Sequence, residues 1–193
     1  MTTACLVLAA GGSSRFGRPK QLLAFRGRTL LDAVLDTARA GDFDQLLVAL
    51  GGACEDVRAE VDLHDFEVVQ NASYGVGCSS SIAAAVPALA ATTEAVVLIL
   101  GDQPGVSADA VRRLLEGRGD SAFAVCRYED GIGHPFAFGV QALPLLRDLH
   151  GDKAVWKLLE QHAAQVVQVD IAGSVPMDVD TQQDYERLIR STL

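Results

Sequence analysis

The sequence predicts an α/β fold in which a mostly parallel sheet lies between two layers of helix. Three observations predict it. Short apolar runs recur at residues 4–8, 46–50, 66–69, 95–100 and 122–126, near-continuous and mostly bounded by turn residues, as expected of strands covered on both faces. Segments with helical periodicity fall between them. The length, 193 residues with 49% hydrophobic and 21% charged, suits a single domain spanning 1–193 with a sizeable core.

Taken in order, the first run (4–8) leads directly into a glycine-rich loop. Thr29 then opens a helix: Asp32 stands three residues on, as in a capping box, and Leu30, Leu31, Val34, Leu35 and Ala38 form an apolar stripe. Gly41 is expected to end it in a left-handed conformation. Residues 79–91 read as helix, which Pro87 should kink or break. Ser107 caps another, turning Val111, Leu114 and Leu115 inward before Gly117. Thr181 with Asp184 opens the last, with Leu188 and Ile189 on one face. Alternating β and α elements imply right-handed crossovers, and in such sheets ligands sit beyond the carboxyl ends of the strands.

A net charge of −9 argues against nucleic acid or an anionic membrane as partner. No apolar run reaches the ~18 residues of a membrane span. The first residues lack the positive region and the long apolar run of a signal peptide. These features predict a soluble, cytoplasmic protein. Charge is unevenly distributed: residues 1–31 hold no acid but contain Arg15, Arg18, Lys20, Arg26 and Arg28, five of the sixteen bases. A local anion site is expected there. The four cysteines form no CxxC pair, which speaks against zinc or a disulfide framework. Cys5 and Cys126 read as small core residues, and Cys78, in a Gly/Ser loop, is the one to watch for reactivity.

Residues 8–20 read Leu-Ala-Ala-Gly-Gly-Ser-Ser-Arg-Phe-Gly-Arg-Pro-Lys. Glycines let the backbone approach a phosphate with its N–H groups pointing inward. Arg15 offers a two-donor fork and Lys20 a compact charge. Ser13 stands where a dinucleotide-binding GxGxxG needs glycine, and Gly17 is not followed by the GK[ST] of a P-loop. The spacing matches LxxGxSxRxGxxK, and the segment resembles the nucleotidyltransferases that act on molybdopterin, the molybdenum cofactor or MobA-like NTP transferase family. More distantly it is similar to sugar-phosphate and methylerythritol cytidylyltransferases. The resemblance implies a Rossmann-like nucleotide-diphospho-sugar transferase fold, with Leu8, Ala9, Ala10, Gly11, Gly12, Ser13, Arg15 and Lys20 binding nucleotide. Ala10 stands where guanylyl-transferring members tend to have glycine, which favours CTP over GTP.

Residues 71–81, Asn-Ala-Ser-Tyr-Gly-Val-Gly-Cys-Ser-Ser-Ser, resemble the family's base and ribose segment. They add Asn71, Gly75, Gly77, Ser79 and Ser80 as nucleotide-binding candidates. Gly101-Asp102-x-Pro104 ends an apolar strand and resembles the family's metal-binding aspartate motif; Mg²⁺ prefers such hard oxygen ligands. Asp178 and Asp180 are two apart on an extended segment, so both carboxylates point the same way, and either is a candidate second ligand.

Gly133-His134-Pro135 and Gly151-Asp152-Lys153 resemble the family's acceptor segments, which makes His134 and Asp152 acceptor-binding candidates. After Asp152 the family usually has glycine and a small residue, whereas this chain has Ala154-Val155-Trp156. Trp156 is expected to pack rather than stack on a pterin. The resemblance implies transfer of CMP from CTP to the phosphate of molybdenum-molybdopterin with release of pyrophosphate, using Mg²⁺, with Arg15, Lys20 and Asp102 as the catalytic set. A molybdoenzyme or its maturation factor is a possible further partner. The rival readings are GTP or another acceptor on the same fold, NAD(P)H-dependent reduction of the nicotine blue type, and a non-catalytic cofactor-insertion chaperone.

Overall fold

The computed structural model describes residues 2–11, 16–151 and 153–191. The chain runs β1 (Thr3–Ala9), β2 (Ala24–Phe25), β3 (Arg28–Thr29), α1 (Leu30–Arg39), β4 (Gln45–Leu50), α2 (Cys54–Glu60), β5 (Glu67–Gln70), α3 (Cys78–Ala85) and β6 (Ala95–Leu100). It continues with α4 (Ala108–Arg118), β7 (Phe123–Tyr128), β8 (Gly131–Gly139), α5 (Leu143–Arg147), α6 (Ala154–Gln161), β9 (Val166–Asp170) and α7 (Gln182–Arg190). Seven strands form one sheet in the order β5-β4-β1-β6-β8-β7-β9, and β2 with β3 forms a small hairpin. All neighbours pair parallel except at β8, which is antiparallel to both β6 and β7. The sheet is mostly parallel, as the sequence predicts.

Alternation along β1 shows why the middle strands are apolar throughout. Cys5, Val7 and Ala9 join the core beneath α1, α2 and α4, while Ala4, Leu6 and Leu8 join the core beneath α3, α5 and α6. Both faces are covered, so neither set of side chains can be polar. Cys5 and Cys126 are fully buried, and burial, opposed by Tyr128 and Arg113, pushes the Cys126 thiol up to about 12.

The helix starts follow the sequence closely. Thr29 and Asp32 make the reciprocal capping box of α1, Ser107 caps α4, and Thr181 with Asp184 caps α7. α3 stops at Ala85, and Pro87 sits in the first turn of a short 3₁₀ segment, Val86–Ala88, where its missing N–H costs nothing.

Two expectations are corrected. Gly41 is not left-handed; Asp42 is, with φ 53°. Gly41 is glycine because a Cβ there would meet the Phe43 ring at 2.3 Å. Nor does α4 end before Gly117. It runs on to Arg118, and Gly117 gives room to Val169, whose side chain lies 2.6 Å from where a Cβ would stand. Among the described residues, no helix is long and apolar enough to cross a membrane.

A third cluster fastens the end of the chain to the hairpin. Leu23, Phe25, Leu30, Val179 and Leu188 pack together, and the Tyr185 hydroxyl donates to the Ala24 carbonyl at 2.6 Å. This cluster fixes where residues 178–180 lie.

Candidate active site

The chain leaves β1 toward β4 and β5, then returns to build β6 on β1's other side. The carboxyl ends of β1 and β6 therefore flank a topological switch point, where α/β sheets bind ligands. A cleft of about 280 Å³ opens there, lined by residues 8–11, Lys20 and Gln21, by Tyr74, Gly77, Cys78 and Ser81, and by residues 100–102.

Glycine lets the two strand ends meet closely. The Gly101 N–H donates to the Leu8 carbonyl at 2.9 Å, and a Cβ on Gly101 would lie 2.8 Å from that of Ala9. Gln21, almost fully buried, turns its amide back to donate to the carbonyls of Ala9 (2.6 Å) and Gly11 (3.2 Å), which ties down the start of the loop. Sequence reasoning overlooked Gln21, because a glutamine after the motif's last lysine carries no pattern of its own.

Across the cleft floor, the Lys20 ammonium donates to Asp102 at 2.5 Å and to Asp180 at 2.8 Å. The Lys20 and Asp102 side chains are 13% and 18% exposed, Asp180's 54%, so the ion pair is shielded on one side and open on the other. Burial works against the lysine's charge, but the Asp102 and Asp180 carboxylates outweigh it and hold its pKa above the ordinary value. Residues 82 and 160 positions away in sequence thus converge on one cation.

Val179 is fully buried between Asp178 and Asp180, so both carboxylates face away from it, as the two-residue period requires. They nonetheless differ. Asp180 shares the ammonium with Asp102, whereas Asp178 accepts from the Gln103 amide at 2.7 Å. Burial, followed by the Asp102 charge, raises the Asp178 pKa. The Asp102 carbonyl accepts from the Val179 N–H at 3.1 Å, and Gln103 also donates to the Pro176 carbonyl at 3.2 Å. Gln103 is therefore the clamp between the two aspartate segments, a residue the sequence alone passed over as filler inside the motif. Gln103→Leu is expected to cost about 1 kcal/mol of stability, the low end for a lost hydrogen bond to a group that water still reaches, as read from a urea unfolding curve. No measurable loss would show that the clamp is idle.

As a test of fit for a metal, Asp102 and Asp180 present hard oxygens to one shared cation, the Lys20 ammonium, which is the donor chemistry a hard divalent ion takes. No cluster of three or more His, Cys, Asp or Glu side chains suited to a metal occurs among the described residues. The pair therefore provides part of a coordination sphere.

The second loop is organised from beneath. Asn71, buried, donates to the Ser80 hydroxyl (2.8 Å) and the Ser81 hydroxyl (3.0 Å), and accepts from the Ser73 N–H (2.8 Å). Ser80 donates to loop carbonyls, including Gly77 at 2.8 Å. Asn71 and Ser80 are thus committed to holding the loop. Gly77, at φ 118°, makes the turn that delivers α3's first residues to the cleft, a conformation other residues rarely adopt. Gly75 is exposed, and Ser79 is buried with no hydrogen-bond partner for its hydroxyl among the described residues. Cys78 is exposed and lines the cleft.

Of the five early bases, Lys20 alone among the described residues lines the cleft. Arg28 pairs with Asp32 and Asp36 on α1, and Arg26 lies over the Phe25 ring in the hairpin turn. Of the local anion site expected from the sequence, Lys20 is thus the base that the described residues place at the cleft. Gly12, Ser13, Arg15 and Asp152 lie outside the described residues.

His134 stands on β8, two residues beyond the pairing of Phe136 with Leu98 and so alongside the carboxyl end of β6. It is not among the cleft-lining residues. Its ring lies 4.0 Å from Phe136 and 6.4 Å from Trp156, centroid to centroid, and Trp156 packs edge-on to Phe136 at 5.0 Å. Trp156 packs, as expected, with 37% of its surface left exposed. Burial lowers the His134 pKa to about 4, so a neutral ring is what this environment holds. Unfolded, the imidazole takes a proton near pH 6.5; folded, it does so only near 4. Lowering the pH from about 6.5 to 4 is thus expected to destabilise the fold through His134, by up to about 3 kcal/mol. The check is its ring proton NMR signals, which should stay flat from pH 8 to 5; a midpoint near 6.5 would contradict the burial.

The comparisons with known proteins agree with this geometry. The MobA-like NTP transferase domain matches residues 5–166. Nicotine blue oxidoreductase of Paenarthrobacter nicotinovorans is 31% identical, with 95% of each chain covered. The molybdenum cofactor cytidylyltransferase of Escherichia coli K12 is 28% identical, covering 94% of this chain and 92% of that one. Among solved structures, Rv0371c of Mycobacterium tuberculosis H37Rv superposes with a TM-score of 0.93 at 43% identity, covering 98% of both chains. A second structure of Rv0371c, a complex with manganese, gives 0.88 at 42% identity, covering 99% of this chain and all of that one. With a family match over most of its length and the switch-point cleft it calls for, the chain belongs to the MobA-like NTP transferase family.

Proposed function

We propose that the protein transfers CMP from CTP to the phosphate of molybdenum-molybdopterin and releases pyrophosphate, in a magnesium-dependent reaction. The observation that carries this reading is the Lys20–Asp102–Asp180 cluster at the switch-point cleft, which Lys20 and Asp102 line. A buried lysine held charged by two carboxylates suits a site that must take a triphosphate and a divalent ion together. The acceptor phosphate is already an anion, so its attack on the α-phosphorus needs no strong general base. The protein's part is alignment and cancellation of charge on the transferring group.

In this reading Lys20 and Arg15 neutralise the triphosphate, and the backbone of residues 8–13 cradles it. Asp102 and Asp180 would hold the metal. Asp178, occupied by Gln103, is the supporting carboxylate. A divalent ion held there would draw charge off the nucleotide; the manganese complex of Rv0371c supports a divalent ion as cofactor. Ala10, which lines the cleft, favours the smaller base. His134 contributes a neutral hydrogen bond to the acceptor, and Asp152 is the second acceptor-binding residue.

The testing experiment is a thermal-shift screen of CTP, GTP, ATP and UTP with Mg²⁺. A ligand at 100 times its Kd stabilises by about 2.7 kcal/mol, and CTP is expected to give the largest shift. Pyrophosphate release with molybdopterin then checks turnover. One observation favours a second reading: nicotine blue oxidoreductase is 31% identical over the whole length. Oxidation of NADH with no nucleoside triphosphate present, and no shift with any triphosphate, would decide for that rival.

A further inference from the structure

Tyr74 follows the second loop's buried asparagine by three residues, remains 38% exposed and lines the cleft. Its position is built by two glycines just past β4. A Cβ on Gly51 would lie 2.9 Å from both Cβ and Cγ of Tyr74, and one on Gly52 would lie 2.4 Å from its hydroxyl oxygen and 2.7 Å from Cζ. The ring therefore rests along the Gly51–Gly52 backbone from root to tip, and only glycine leaves room for it. The same Gly51 position is 2.3 Å from the Ala10 carbonyl, so Tyr74 and Ala10 are joined walls of one space.

We propose that Tyr74 is the aromatic wall against which the nucleobase packs, and that Gly51 and Gly52 are its seat. The proposal rests on reading the cleft as a nucleoside triphosphate site. A large ring left partly exposed beside a concave site offers surface to a flat, π-faced ligand. Stacking of that kind tolerates any base, because every base has a π-face. Tyr74 is thus expected to set affinity for nucleotides in general, leaving discrimination between bases to Ala10 and the loop.

Titration calorimetry on the full chain, with Mg²⁺ and CTP, GTP or tripolyphosphate, tests this. Tyr74→Ala is expected to weaken CTP and GTP alike, by about ten-fold, and to leave tripolyphosphate within about two-fold. Tyr74→Phe keeps wild-type affinity, since the ring rather than the hydroxyl does the packing. Gly52→Ala reproduces the loss when Tyr74 is present and adds nothing on top of Tyr74→Ala, because the three atoms nearest the added Cβ all belong to that ring. An equal loss for tripolyphosphate, unchanged CTP binding in Tyr74→Ala, or a Phe variant as weak as the Ala variant would each overturn the proposal. Wild-type protein that binds tripolyphosphate but gains nothing from a base sinks Tyr74's role and spares the phosphate site. Wild-type protein that binds neither sinks both.

Discussion

Asp102→Ala is expected to lower turnover by about 10²- to 10³-fold, the scale on which removal of one preorganised charge-stabilising group acts. The fold should survive. Lys20 keeps its bond to Asp180, and the Asp102 carbonyl still accepts from the Val179 N–H. Lys20→Ala should fall by a similar factor for a different reason, since it removes the ammonium that Asp102 and Asp180 share and leaves two carboxylates facing one another. Pyrophosphate release, measured beside a melting curve, separates lost chemistry from lost structure. Wild-type rates in either variant would remove that residue from the mechanism.

Phe136→Ala is expected to destabilise the protein by about 3–5 kcal/mol, a large share of the 5–15 kcal/mol that holds a typical domain folded. Phe136 is fully buried in the core beneath α3, α5 and α6, on the strand that joins the parallel half of the sheet to β7 and β9. It is also the ring on which His134 and Trp156 both pack, so those two side chains lose their support with it. Urea unfolding reads the effect as a lower midpoint at unchanged slope. A change below 1 kcal/mol would mean the core closes over the gap.

The central parallel strands were legible in the sequence because burial on both faces leaves them few polar positions, whereas β9, parallel to β7 at the edge of the sheet, was missed because none of its residues is fully buried. β6 falls at 95–100 as read, and β1, β4, β5 and β7 lie within two residues of their predicted ends. β8 escaped because Gly131, Gly133 and Pro135 interrupt it, and those residues look like turn chemistry. Pro135 is tolerated in a strand whose neighbours pair antiparallel with a bulge between Val125 and Cys126. The β2–β3 hairpin escaped because its turn, Arg26 at φ 49° and Gly27 at φ 79°, places arginine where asparagine is the usual signal.

At the site, the motif residues Lys20 and Asp102 were legible as members of a pattern, but their direct pairing was not: a periodicity argument carries no information about contacts 82 residues apart. The supporting residues were least legible. Gln21, Gln103, Gly51 and Gly52 act through paired side-chain hydrogen bonds or through the absence of a side chain, and neither leaves a repeat to detect.

The fastening of Val179 and Leu188 onto the Phe25 hairpin has a consequence in time. A nascent chain that has reached β9 already possesses every strand of the sheet and the whole glycine loop, yet Asp180 has not been made. Until α7 docks, Lys20 has only one of its two carboxylates, and a polypeptide still on the ribosome carries half a binding floor. Synthesis itself thus withholds the finished centre until Asp180 and α7 are in place.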